Sequence, residues 1–147
     1  MTRALTWLRI LLLLIAVFHL AAGCGLMFSE SFRRFAVALY GATFSWNVRD
    51  TYFIRIVGSF AFVLGYLAAM ASRDPIKHRI VIIGFVEFFV LRNINRHLYS
   101  RELYDGFGVS PMVNHLTSVF FGAQAILLAV LLWYASRKSV FATTREM

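Results

Sequence analysis

Four apolar stretches, residues 5–28, 52–71, 80–98 and 112–135, dominate this chain of 147 residues. Each is long enough to cross the roughly 30 Å hydrocarbon core of a bilayer as a helix rising about 1.5 Å per residue. They leave no length for a separate soluble domain, and a mean hydropathy of +0.70 lies far above the soluble norm. The expected fold is an all-α integral membrane protein, a single membrane domain over residues 1–147. Short connections make neighbours antiparallel, so the expected architecture is an antiparallel four-transmembrane-helix bundle.

The third stretch carries the strongest constraint, because Glu87 and Arg92 fall at bilayer depth. Each ionised group costs several kcal/mol there, in order of magnitude, unless it is paired, hydrated or neutralised. At about 100° per residue, Gly84, Glu87, Leu91, Arg92 and Asn95 share one broad arc. Ile82, Ile83, Val86, Phe89, Val90 and Ile94 fill the other, which suits lipid. Glu87 and Arg92 are about 140° apart, so they flank the polar arc without pairing, and their partners are expected from other helices.

The other wheels show similar faces. His19 shares an arc with Leu12, Ala16, Ala22, Gly23 and Leu26 in the first stretch. In the second, Arg55 lies with Gly58, Ser59, Phe62, Gly65, Tyr66 and Ala69, opposite Ile56, Phe60, Leu64 and Leu67. In the fourth, His115 lies with Ser118, Gly122, Ala125 and Ala129, while Thr117 and Gln124 form a second polar stripe without an assignable partner. Small residues mark faces where helices approach closely. The candidate ligand-binding or polar-network residues are therefore His19, Arg55, Glu87, Arg92, Asn95 and His115, around a pocket open to the outer side. The alternative is an interior network that only fixes helix register.

The formal charge of +8 sits at helix ends, where it sets topology and attracts anionic lipid. Nucleic acid is not an expected partner. Arg3, Arg9, Arg73, Lys77, Arg79, Arg137, Lys138 and Arg145 fall on one side, placing both termini in the cytoplasm by the positive-inside rule. Around Cys24, the sole cysteine, the basic start and Leu20-Ala21-Ala22-Gly23-Cys24 also fit a loose lipoprotein signal, against the plainer reading of a first span. Residues 29–51 read either as an interfacial amphipathic helix, with Phe32, Phe35, Leu39 and Tyr40 at helical spacing, or as a loop anchored by Trp46 and Tyr52. Residues 72–79 and 99–111 read as polar turns, the second containing the turn dipeptide Asp105-Gly106.

Haem is not expected, because His19 and His115 fall at different depths on this reading. Metal ligation lacks the paired spacing it needs, and no catalytic motif is recognisable. The end of the first stretch, FHLAAGCG over residues 18–25, and the buried acid in Gly84-Phe85-Val86-Glu87 give the chain a resemblance to the DoxX-like group of small four-helix bacterial membrane proteins. That resemblance implies a multi-pass protein of a bacterial inner membrane and carries over no catalytic residue. Two functions are expected from the residues. One is a membrane protein whose polar outer-leaflet cavity binds a lipid-like or quinone-like ligand. The other is a non-catalytic accessory subunit of a larger membrane complex or a homo-oligomer, with a membrane enzyme third.

Overall fold

The computed structural model describes the backbone of residues 3–143 and the side chains of residues 3–137. Arg145 and the Lys138 side chain, counted above for topology, lie outside these. The described chain is all α: α1 (Arg3–Phe28), α2 (Glu30–Leu39), α3 (Val48–Arg73), α4 (Arg79–Leu98), α5 (Ser100–Phe107) and α6 (Pro111–Thr143). Three helices are long and apolar enough to cross a membrane: α1, α3, and α6 over Pro111–Arg137. The 20 residues of α4 carry Glu87, Arg92 and Arg96 in one run, and α4 does not join that group.

The closest helix pair is α1 with α3. A Cβ added at Gly23 would lie 2.6 Å from the Phe62 backbone nitrogen, and one at Gly65 would lie 2.6 Å from that of Leu20. Gly58 meets the Gly23 carbonyl and Leu26 in the same way. Contacts descend α3 as they climb α1, so the two run antiparallel. Glycine is required at these points because the backbones themselves touch, and such contact supplies van der Waals attraction where lipid removes the hydrophobic incentive to associate.

The other main pair, α4 with α6, is built from rings. Phe89 stacks on Phe121 at 5.5 Å between centroids, and Phe85 lies 6.1 Å from Phe89. Leu8, Leu12 and Ile15 of α1 join Ala68 and Ala71 of α3, Ile82 and Phe89 of α4, and Leu128 of α6 in one buried core. Large apolar residues such as Leu14, Val17, Phe60, Ile126 and Leu127 are exposed around it, as lipid-facing positions should be.

The buried faces correct two of the expected wheels. On α4 the inward residues are Ile82, Phe85, Phe89 and Arg96, while Gly84, Glu87, Leu91 and Asn95 are exposed. On α3 the inward residues are Ile54, Gly58, Gly65, Ala68, Ala71 and Ser72, which leaves Arg55 one step around on the exposed side. In both helices packing bulk decided the rotation. The phenylalanine stack of α4 and the glycine contacts of α3 bring more atoms together than a few polar side chains could.

Residues 29–51 divide between their two readings. The Ser29 hydroxyl caps α2 by accepting from the Phe32 amide, and the buried Arg33 reaches back to donate to the carbonyls of Leu26 and Met27, both at 3.3 Å. Those acceptors are among the last of α1, which have no partner within the helix, so one side chain ends α1 and fixes α2 against it. Residues 42–47 are not helical, and Trp46 sits there with φ of 55°.

The expected turn at Asp105-Gly106 is instead helical. Leu103 and Phe107 repeat at one-turn spacing, Arg101 pairs with Asp105, and α5 ends one residue later at Gly108 with φ of 71°. The Thr43 amide donates to the Phe107 carbonyl at 2.7 Å, tying the two connections together at this end of the molecule.

Two predictions follow from this packing. Gly65→Leu should lower unfolding stability by about 2–3 kcal/mol through overpacking. Gly84→Ala, with no atom near its would-be Cβ, should raise it by about 0.5–1 kcal/mol through helix propensity. Thermal unfolding in detergent, followed by circular dichroism, measures both. The second concerns Glu30, whose carboxylate is held below its ordinary pKa, chiefly by the hydrogen bond from Arg34 and then by that residue's charge. The pair's contribution is therefore present at neutral pH and lost as the pH falls through the lowered value. Arg34 lies 4.8 Å over the Trp46 ring. With Trp7 and Trp133 replaced by phenylalanine, Trp46 fluorescence should change across that acid transition, and Glu30→Gln should remove the change.

Candidate functional site

The last three turns of α4 concentrate positive charge where the C-terminal helix carbonyls favour it. Arg92 and Arg96 are one turn apart, and each is held by a neutral partner. The Arg92 Nη2 donates to the Tyr40 hydroxyl at 3.0 Å, and its guanidinium lies 4.0 Å over the Phe121 ring. The Arg96 Nε donates to the Asn114 Oδ1 at 2.8 Å, and the Asn114 Nδ2 donates back to the Arg96 carbonyl at 3.2 Å. These bonds lock the end of α4 to the start of α6, and with the Phe89–Phe121 stack they set that pair antiparallel.

Among the described residues the ion pairs are Glu30 with Arg34 and Arg101 with Asp105, so neither Arg92 nor Arg96 meets a carboxylate. Arg96 is only 9% exposed, yet its Nη2 is buried without a hydrogen-bond partner. A buried guanidinium with an idle donor forfeits a charged hydrogen bond, which is costly unless something else accepts it.

Both arginines line a groove of about 750 Å3, within the range of about 300–1,000 Å3 usual for small-molecule sites. Phe53 and Val57 of α3 form one wall, and Phe88, Leu91 and Asn95 of α4 form the other. Tyr99 and Leu103 close the end. Contact between α3 and α4 is slight compared with that between α1 and α3, so the groove opens sideways between them. Its lining is mostly apolar, with the two guanidiniums, the Asn95 amide and the Tyr99 phenol as polar groups. Such a site can hold an elongated molecule with a hydrogen-bond-accepting head and an apolar body.

The six candidates from the sequence are dispersed. Arg92 and Asn95 line the groove. His19 is buried on α1, where its Nδ1 donates to the Ile15 carbonyl at 2.9 Å and its ring lies 6.4 Å from that of Phe89. Arg55, Glu87 and His115 are exposed, so the expected shared pocket of four helices does not form within the protomer. Arg96, Asn114 and Tyr40 are the residues that sequence reasoning missed. A signal existed for Arg96, which follows Phe89 by seven residues and so returns to within about 20° of its buried direction. Tyr40, read only as part of an interfacial helical spacing, is the C-cap of α2, and that spacing said nothing of its contact with Arg92.

Comparisons with protein families, with curated proteins and with solved structures each returned no match.

The reciprocal Arg96–Asn114 pair gives a stability prediction. Asn114→Leu should cost about 1–2 kcal/mol, since it removes two hydrogen bonds and strands a second Arg96 donor. Arg55→Gln and His115→Gln, on exposed faces, should each change stability by less than about 0.5 kcal/mol. Unfolding in mixed micelles for the three variants tests the contrast.

Proposed function

We propose that the protein is a small integral membrane protein that binds a lipid-like or quinone-like amphiphile in the groove between α3 and α4. The observation that carries this reading is an apolar-walled groove lined by Arg92 and Arg96, neither of which meets a described carboxylate and the second of which keeps a buried Nη2 without an acceptor. A molecule already dissolved in the bilayer would enter laterally, place its polar head at the arginines and keep its body against Phe53, Val57 and Leu91. No chemical step is required of the site.

In this reading α4 is a fourth span. Its 20 residues reach about 30 Å, enough to cross the hydrocarbon core, and it lies against the long apolar α6. The short connection over residues 74–78, with its neighbouring Arg73 and Arg79, then faces the cytoplasm together with both termini. The groove falls at the opposite end, in the outer leaflet of a bacterial inner membrane, in keeping with the resemblance to the DoxX-like group.

A second reading, an accessory subunit or a homo-oligomer, is favoured by Glu87. It is exposed midway along α4, and Gly84 one turn before it has no atom within 4 Å of a would-be Cβ. A neighbouring chain packed there would shield the carboxyl from lipid.

Native mass spectrometry of protein released from mild detergent tests both. The first reading expects a protomer carrying one amphiphile, with occupancy falling at least about tenfold in Val57→Trp, which fills the groove. A bare protomer with a stoichiometric larger partner supports the second instead.

A further inference from the structure

We infer that the groove's occupant is an anionic phospholipid, its phosphate held between Arg92 and Arg96. This rests on the reading of the groove as an amphiphile site and adds the chemistry of the head. Two arginines four residues apart, whose positions are about 6 Å apart along the helix axis, leave a net positive charge that no described carboxylate cancels. Like charges at that spacing repel on a helix, so the arrangement is relieved by an anion between them. A quinone offers neutral carbonyl oxygens and leaves the charge in place.

The division of the free donors between two side chains favours phosphate over carboxylate. Arg96 spends Nε on Asn114 and Arg92 spends Nη2 on Tyr40, so each retains only part of its fork. The remaining donors come from two separate turns of α4, and the Arg96 Nη2, which has no hydrogen-bond partner, is one of them. The two oxygens of a carboxylate lie in one plane and are satisfied by a single complete fork. Phosphate presents oxygens tetrahedrally and accepts from two incomplete forks at once.

The depth agrees as well. The groove ends at Tyr99 and Leu103 beside α5, at the same end as Trp46, Tyr40 and the α2 arginines, and aromatic and basic residues of this kind populate the headgroup level. The apolar walls commit the site to a lipid ester and exclude free phosphate, which would leave Phe53, Val57 and Leu91 uncovered.

The test is a titration of delipidated protein in detergent, read by native mass spectrometry, with phosphatidylglycerol, phosphatidylcholine, oleate, decylubiquinone and inorganic phosphate as separate probes. The inference expects phosphatidylglycerol to bind at least about tenfold more tightly than each of the others. It expects that preference to fall to about threefold or less in Arg92→Gln and in Leu91→Glu. Leu91→Glu places a carboxylate in the groove from an exposed position, so it reports on charge even if loss of an arginine disturbs folding. Equal binding of phosphatidylglycerol and phosphatidylcholine overturns the inference, as does tighter binding of oleate or inorganic phosphate. Preference for decylubiquinone, abolished by Val57→Trp, overturns the phospholipid assignment and leaves the groove reading standing. Binding of no amphiphile overturns both.

Discussion

The backbone contact between α1 and α3 is the constraint on which the remaining helices depend. In lipid, an apolar side chain gains little by leaving its surroundings, so helices associate where surfaces fit closely enough for dispersion to accumulate. Gly23, Gly58 and Gly65 allow that fit, and Cβ atoms there would penetrate the partner's backbone. The contact also fixes the rotation of α1, turning Leu8, Leu12, Ile15 and His19 inward, where the ring stack of α4 and α6 can close on them. The outward turn of Arg55 follows from the same contact, because it adjoins the buried Ile54 and lies off the glycine stripe.

Charge at the far end is managed by neutral acceptors. Arg33 donates to helix carbonyls, Arg92 to a phenol while lying over a ring face, and Arg96 to an amide. Each arrangement holds an element in place: α2 on α1, the connection after α2 on α4, and α4 on α6. Neutral acceptors satisfy donors without cancelling charge, so anchoring through Arg92 and Arg96 leaves a surplus of positive charge beside one groove. Structure and binding are therefore not competing explanations for Arg96. Its Nε holds α6, and its Nη2 is left without a hydrogen-bond partner.

Glu87 meets the opposite condition, a carboxyl in an apolar exposed face. A lone carboxylate in an apolar face would be expensive if that face meets lipid, and no described residue covers Gly84 beside it. A second helix packed against Gly84 would shield that carboxyl and fill the open space beside it.

What could be read from the sequence followed the strength of the packing signal. Helices α1, α3 and α6 were legible because about twenty apolar residues in a row have few other fates, and the inner face of α1 was legible because His19, Ala16 and Gly23 lie along one row. Polarity misled on α3 and α4. In water an apolar face turns inward, so the polar face is known; in lipid both faces are apolar enough, and rotation is decided by which side packs more atoms. On α4 the Phe85 and Phe89 rings outweighed Gly84 and Glu87. Arg96 was legible in principle, since a seven-residue step from Phe89 aims it at the same interface, and burial of the ring implies burial of the base. That Asn114 meets it is a consequence of α4 and α6 being antiparallel: once Phe89 stacks on Phe121, seven residues onward on one helix faces seven residues back on the other.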